Sequence, residues 1–259
     1  MILKRLIPLV AVLVFTADSK ATVLYVRYNV NEIIIGTDSK RTAETGQTVC
    51  VCKILQVGDT IIASAGLAEY GAFDPRDYAR EAITSTQTLA DARAKFEELI
   101  SDPLIEVLKK LKAKKSARYE VFKTGAAINM VFARFTDRPE LVTTALIPKD
   151  GPRGSITLEK NRFTLLGNET RAKRIFVGVS KRAEAMMDRS GFWAKGTVEG
   201  VRHALQISIE DKSDAGEPID VVQLTRGAVR WFPHKPECDE KGRRVGDQQS
   251  SCNSSLQKG

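Results

Sequence analysis

The stretch Thr22–Thr42 reads TVLYVRYNVNEIIIGTDSKRT and decides how the fold begins. Its β-branched and apolar residues at 22–28 and 33–37 predict two strands, and the polar residues Asn29–Glu32 between them predict a hairpin turn. Asp38 follows the second strand directly. The segment therefore opens with a predicted pair of strands that ends in a carboxylate.

Strand character continues downstream and then gives way to helical periodicity. Residues 49–57 and 60–65 predict a second antiparallel pair, joined at Gly58–Asp59. From Asp74 onward the spacing of apolar residues changes to threes and fours, which predicts two consecutive helices. The apolar face of these helices contains Leu89, Ala92, Phe96, Ile100, Leu104, Val107 and Leu111. Pro103, directly after Asp102, predicts that a new helix begins there.

The remainder of the chain repeats the same order of blocks. Four strands are predicted at 126–135, 141–147, 155–166 and 174–179, then two helices at 181–189 and 198–211, and two last strands at 219–225 and 228–232. Blocks of strands that alternate with pairs of helices favour an α+β fold of two packed sheets with helices on their outer faces. We predict one domain over residues 22–232 and a polar tail over 233–259.

Composition and the first residues indicate a globular protein that is exported. The chain has 259 residues, of which 42% are hydrophobic and 28% charged, and this composition excludes disordered and coiled-coil classes. Lys4 and Arg5 precede an apolar run, Leu6–Phe15, and the polar residues Thr16–Ala21 end in a small-residue cleavage pattern. Residues 1–21 are therefore predicted to be a signal peptide, since a ten-residue run is about half of a membrane span. We expect a periplasmic or secreted protein, with no membrane attachment after cleavage.

Net charge and metal-ligating residues exclude two further function classes. Cleavage after Ala21 removes three cations and one anion, which leaves a formal charge of +6. This charge is ordinary for a soluble surface and predicts no nucleic-acid partner. The two histidines, His203 and His234, have no second ligand at metal spacing, so neither a metal nor another cofactor is expected.

The four cysteines fit an oxidising compartment. Cys238 and Cys252 flank a polar segment, and either a disulfide between them or two free thiols is compatible with that segment. Cys50 and Cys52 are two residues apart, a spacing that would strain a bridge between them on a strand. We expect Cys50 and Cys52 to be small buried hydrophobic residues.

Three segments together resemble the proteasome β-type subunits of the N-terminal-nucleophile hydrolases. Besides Thr22–Thr42, they are CKILQVGDTIIASAGLAE at 52–69 and IEDKSDAGEPIDVVQLTRGAVRWF at 209–232. The resemblance extends from Thr22 to about Phe232. It implies a four-layer αββα sandwich of two antiparallel sheets flanked by helices.

The resemblance also implies a catalytic threonine at the new amino terminus. A terminal threonine has a hydroxyl nucleophile and a free α-amine, whose ordinary pKa of about 7.7 to 8.0 lets it act as the base. Asp38 matches the aspartate of the motif D-S-x-x-T, and Lys53 matches the lysine that lowers the pKa of the amine. Gly66 matches the glycine whose N–H stabilises the oxyanion. The predicted signal cleavage falls one bond before Thr22.

The downstream part of the resemblance is looser. Asp211 matches an aspartate that bonds to the terminal threonine, and Ser213 is the candidate for its accompanying serine, although the residues around it are shifted. Ser180, one place later than the pattern has it, is the candidate for a second supporting serine. Ala21 stands where self-cleaving members have glycine, which favours a signal peptidase as the activator.

Three functions remain open from the sequence. The first is an exported threonine-type amide hydrolase, a peptidase assembled as a homo-oligomer. The second is an acylase of the same superfamily that acts on small amides. The third is a catalytically silent binding or scaffold protein, which the register of Lys53 with Asp38 disfavours.

Overall fold

The structure is a computed structural model that describes residues 22–42, 48–166, 170–211 and 215–239. The predicted signal peptide, Ser213 and Cys252 lie outside the described residues. The strands are β1 (Leu24–Tyr28), β2 (Ile33–Asp38), β3 (Lys40–Thr42), β4 (Thr48–Cys50), β5 (Ile54–Val57), β6 (Thr60–Gly66), β7 (Ile128–Phe135), β8 (Pro139–Asp150), β9 (Ile156–Leu166), β10 (Lys173–Val177), β11 (Ile219–Thr225) and β12 (Ala228–Phe232). The helices are α1 (Pro75–Thr84), α2 (Leu89–Ala113), α3 (Ala117–Thr124), α4 (Lys181–Met187) and α5 (Thr197–Glu210).

Two five-stranded antiparallel sheets form the centre of the molecule. The first has the order β10-β1-β2-β11-β12 and the second the order β5-β6-β7-β8-β9, while β3 and β4 form a separate two-stranded sheet. The predicted hairpin joins β1 and β2, with Leu24 opposite Thr37 and Tyr28 opposite Ile33. Because β2 pairs with β11 as well as with β1, it lies inside the sheet, and Asp38 at its end is opposite Ile219.

Three hydrophobic clusters show how the layers pack. The central cluster joins the facing sides of the two sheets, with Val26, Ile35, Ala63 and Val131 among its members. A second cluster packs α1, α2 and α3 against the outer face of one sheet, and a third packs α4 and α5 against the outer face of the other. The predicted four-layer αββα sandwich is therefore confirmed, as is its α+β class.

One expected boundary is wrong. Asp102–Pro103 does not start a new helix, because α2 runs without interruption from Leu89 to Ala113 with Pro103 inside it. A proline inside a helix costs stability through its missing N–H and its ring. Here the residues on both sides of Pro103 belong to one buried face, which outweighs that cost: Ile100, Leu104 and Leu108 are fully buried.

The predicted strand 49–57 is also wrong as one element. It divides into β4, which pairs with β3, and β5, which pairs with β6. Between them, Cys52 and Lys53 leave the ladder. Lys53 therefore lies between two strands and is not part of the regular strand pairing.

A buried carboxylate connects α2 to the edge of the second sheet. Glu97 is only 1% exposed and accepts a hydrogen bond from Arg162 Nε of β9 at 3.0 Å, with Lys160 Nζ 3.8 Å away. Burial acts to raise the pKa of Glu97, but the hydrogen bond and charge of Arg162, together with Thr144 and the charge of Lys160, outweigh it, and the pKa lies below its ordinary value. Glu97 therefore stabilises the fold as a carboxylate.

Cys50 and Cys52 are buried as expected, but the expected pairing of the cysteines is wrong. Cys52 forms a disulfide with Cys238, with 6.4 Å between their Cα atoms, so Cys238 is not bonded to Cys252. Cys50 is also disulfide-bonded, and neither Cys50 nor Cys52 is a reduced core residue. The expectation considered only distance along the chain, whereas the residues after β12 reach back to the break between β4 and β5.

Within the described ranges no helix is long and apolar enough to span a membrane.

Candidate active site

Three predicted site residues lie together at one end of the first sheet. Lys53 Nζ donates hydrogen bonds to Thr22 Oγ1 at 3.3 Å and to Asp38 Oδ1 at 2.9 Å. Thr22 and Lys53 are each 3% exposed, and Asp38 is fully buried. The lysine ammonium therefore lies between a carboxylate and a threonine hydroxyl, in a position shielded from water.

The β1–β2 pairing holds Asp38 beside the beginning of the first strand. The N–H of Val23 donates to Asp38 Oδ1 at 2.9 Å, and the N–H of Asp38 donates to the carbonyl of Val23 at 3.3 Å. Thr37 Oγ1 donates to the same carbonyl at 2.8 Å. These bonds fix the backbone next to Thr22, so the Thr22 side chain has a defined position relative to Lys53.

Both oxygens of the buried Asp38 carboxylate accept hydrogen bonds. Its Oδ1 accepts from Lys53 Nζ and from the N–H of Val23, and its Oδ2 accepts from the N–H of Gly216 at 3.3 Å. A buried carboxylate is tolerated only when an opposite charge and further donors compensate for the lost water. The Asp38 carboxylate therefore acts as the fixed point to which the lysine is attached.

The loop that carries Lys53 is anchored through its backbone and its neighbour. The N–H of Ser64 on β6 donates to the carbonyl of Lys53 at 3.1 Å. Arg76, near the start of α1 and 3% exposed, donates from Nη1 to the carbonyl of Cys52 at 3.0 Å and pairs with Asp74. Together with the disulfide at Cys52, these contacts hold Lys53 in place from three sides.

Gly66 ends β6 with a backbone conformation that requires glycine. Its φ is +103°, and a Cβ at this position would lie 2.3 Å from the carbonyl oxygen of Ala127. The next residue, Leu67, donates its N–H to that same carbonyl at 2.8 Å. A side chain at position 66 would push β6 away from β7. Gly66 is therefore the point at which the chain turns out of the sheet, in a conformation that favours glycine.

The supporting residues predicted from the looser part of the resemblance have other described partners. Ser180 caps α4, where its hydroxyl accepts from the N–H of Ala183 and its own N–H donates to Ser208 Oγ at 3.1 Å. Asp211 follows α5 and pairs with Arg182 Nε at 3.3 Å. Ser213 lies outside the described residues, so its role stays a prediction.

Sequence reasoning missed a second polar pair beneath the site. Ser39 Oγ donates to Asp220 Oδ2 at 2.8 Å, and the N–H of Ser39 donates to the carbonyl of Gly216 at 3.3 Å. Ser39 and Asp220 are both buried. The signal for Asp220 was present, since it is a lone acidic residue in the apolar strand β11. The pair holds the chain that follows Asp38 against the segment that contains Gly216.

Among the described residues, no group of three or more His, Cys, Asp or Glu side chains is arranged to hold a metal ion. The chemistry available at the site is that of a hydroxyl, a carboxylate and an ammonium. A hydroxyl next to a fixed ammonium is a candidate nucleophile, and the positive charge also favours a transition state in which negative charge develops.

Comparison with solved structures finds a similarity in fold to the Gly-1 mutant of Anbu from Hyphomicrobium sp. strain MC1, with a TM-score of 0.48 and 15% sequence identity. The similarity covers 91% of this chain and 92% of that chain. No protein-family model and no curated protein matches the sequence.

Proposed function

We propose that this protein is an exported amide hydrolase that uses Thr22 as its nucleophile after the peptide bond between Ala21 and Thr22 has been cut. The observation that carries the proposal is the chain of contacts from Asp38 through Lys53 to the hydroxyl of Thr22, with distances of 2.9 Å and 3.3 Å. The N-terminal signal pattern supports it independently, because it selects the same peptide bond.

Cleavage between Ala21 and Thr22 supplies a base at the site. The new α-amine of Thr22 lies within the same residue as the hydroxyl, so it accepts the hydroxyl proton directly or through one water molecule. The Lys53 ammonium repels a second positive charge nearby, which favours the neutral amine. Asp38 holds Lys53 in place for this purpose and does not itself contact the substrate.

The reaction is an acyl transfer in two steps. The oxygen of Thr22 attacks the amide carbonyl, the C–N bond breaks, and the α-amine passes the proton to the leaving amine. A water molecule then attacks the resulting ester, the acid product leaves, and the threonine hydroxyl is restored. The carbonyl oxygen carries negative charge in both steps, and the N–H at Gly66 is our candidate donor to it.

The substrate that we propose is a peptide, and the assembly a homo-oligomer. Identical subunits that join head to tail either close into a ring or polymerise, and a ring with Thr22 facing inward would restrict substrates to short or unfolded chains. A periplasmic or secreted location places this activity in a compartment that also favours the disulfides.

The test is a covalent label at Thr22 together with turnover. Mature protein is incubated with a peptide that ends in a reactive vinyl sulfone or β-lactone, and the labelled residue is found by tandem mass spectrometry. Hydrolysis is measured with a library of peptidyl coumarin amides. We expect labelling at Thr22 and loss of both signals in Thr22→Ala, with partial retention in Thr22→Ser.

Thr60→Ala is the matched control, because Thr60 is a buried threonine at the opposite end of β6 from Gly66 and bonds to Asp59. It should keep normal labelling and turnover. Labelling of Thr22 with turnover of small acyl amides only would favour the acylase. Absence of any label at Thr22 in protein that begins at Thr22 would favour a binding or scaffold protein and reject the hydrolase.

A further inference from the structure

A cleft at the far end of β1 from Thr22 carries an unusual concentration of arginine. It has a volume of about 430 Å³ and lies between the first sheet and the loop that joins α4 to α5. The polar and aromatic side chains that line it are Arg27, Arg174, Asp188, Arg189, Ser190 and Trp193. Three arginines and one aspartate give the cleft two positive charges in excess.

Two of these arginines face each other across neighbouring strands. Arg27 of β1 is the register partner of Arg174 of β10, the edge strand, and directly opposite side chains in an antiparallel pair point to the same side. Like charges in this arrangement destabilise a sheet unless something compensates for them. Asp188, 2.8 Å from Arg174, compensates for one of the two.

Arg27 has no carboxylate partner among the described residues, and its guanidinium lies 4.4 Å from the centre of the Trp193 ring. The ring is itself fixed, because its Nε1 donates to the carbonyl of Met187 at 3.0 Å and its face packs directly on Gly200. Arg27 is therefore held in a defined orientation by an aromatic face, which leaves its N–H donors available. A guanidinium held in this way is suited to bind a carboxylate or phosphate through two hydrogen bonds.

A buried hydroxyl lies next to the same arginines. Tyr25 is fully buried on β1, two residues before Arg27 and on the same face, and its ring stacks on Phe176 at 6.4 Å. In the part of the chain that the structure describes, its hydroxyl makes no hydrogen bond of ordinary geometry, and Arg174 lies near enough to influence its pKa. Burial raises the pKa of Tyr25 well above its ordinary value, against the opposing charges of Arg174 and Arg27, so the group is a neutral donor.

We infer that this cleft is a binding site for a small oxyanion with two negative charges, a phosphate monoester or a dicarboxylate. The excess of two positive charges matches such an anion, and the volume fits an organic molecule better than a single inorganic ion. Arg27 and Arg174 would bind its oxygens, Trp193 would cover its apolar part, and the Tyr25 hydroxyl would donate the bond that it otherwise lacks. The site is separate from Thr22 and does not depend on the proposed hydrolase activity.

The experiment measures binding to the mature, fully assembled protein by isothermal titration calorimetry. Glycerol phosphate and succinate are the two probes, and acetate at matched ionic strength is the control anion. We expect one of the two dianions to bind with a Kd below 1 mM, and acetate at least tenfold more weakly. The stronger of the two probes identifies the anion class.

Arg27→Gln and Arg174→Gln should each weaken binding more than tenfold, as expected when a charged hydrogen bond is lost. Arg226→Gln is the matched control, since Arg226 is an exposed arginine that bonds to the carbonyl of Asp137. Circular dichroism shows whether each variant is folded. Failure of both dianions to bind at 10 mM, or equal binding by wild type and folded Arg27→Gln, would overturn the inference.

Tyr25→Phe separates a binding role from a structural one. Because the hydroxyl is buried without a hydrogen bond of ordinary geometry, its removal should leave the unfolding temperature of the empty protein unchanged or higher. The same variant should bind the dianion about tenfold more weakly. Unchanged affinity in Tyr25→Phe would remove the hydroxyl from the site, and a large loss of stability would assign it a structural role instead.

Discussion

Replacing Lys53 by methionine should destabilise the fold as well as stop the chemistry. Methionine has a similar length, so the packing changes little, but the fully buried Asp38 carboxylate loses its 2.9 Å ion pair. Removing one partner of a buried ion pair typically costs about 3 to 5 kcal/mol, because the other charge is left buried and uncompensated. Asp38 keeps the N–H groups of Val23 and Gly216, so we expect the lower end, about 3 kcal/mol.

The double variant tests whether the charge is the cause. Asp38→Asn combined with Lys53→Met removes both charges, and a buried ion pair replaced by neutral groups is often near neutral for stability. We expect it to recover at least half of the loss, short of all of it because an asparagine amide nitrogen cannot accept from the N–H of Gly216. Activity should be absent from both variants.

Urea unfolding of wild type, both single variants and the double variant measures the coupling directly. A loss of about 3 kcal/mol corresponds to a fall of roughly 10 °C in the unfolding temperature for a chain of this size. The reasoning fails if Lys53→Met alone costs under 1 kcal/mol, or if the double variant is less stable than the sum of the two single variants predicts.

Three further predictions address the amino terminus, pH dependence and assembly. Intact mass of the exported protein should correspond to residues 22–259, and a terminus before or after Thr22 would remove the nucleophile. The pKa of Glu97 lies below its ordinary value, so its stabilisation is present above the unfolded pKa of a glutamate and is lost as the pH falls through the folded value. Glu97→Gln should therefore be less stable than wild type at pH 7 and lose less stability on acidification, as thermal unfolding from pH 7 to pH 3 will show. Light scattering of the mature protein should give a homo-oligomer well above a dimer, and a stable monomer would favour the acylase or binding functions.

The site residues that could be predicted from the sequence are those that lie in short recognisable segments. Thr22 and Asp38 belong to one hairpin, and the pairing of its strands brings them close. Lys53 is assigned through a segment that resembles proteasome β-type subunits, and it lies in the break between β4 and β5. Asp220 and Arg76 act on the site from β11 and α1. A lone acidic residue in an apolar strand marks Asp220 as unusual, but the partners of Asp220 and Arg76 depend on the packing of elements that are distant in the sequence.

The errors have the same physical origin. Pro103 is a strong local signal for a helix boundary, but the continuous buried face of α2 determines the outcome. The proximity of Cys238 to Cys252 along the chain left a local disulfide or two free thiols open, whereas the fold places Cys238 against Cys52. In both cases the tertiary structure overrode a preference that is valid only over a few residues.

The Cys52–Cys238 bond makes the end of the chain part of the site. The two cysteines are 186 residues apart, and the first of them directly precedes Lys53. Because synthesis proceeds from the amino terminus, this bond cannot form until Cys238 has been added to the chain. The loop that carries the lysine thus receives its covalent anchor last, so an incomplete chain cannot have a finished site.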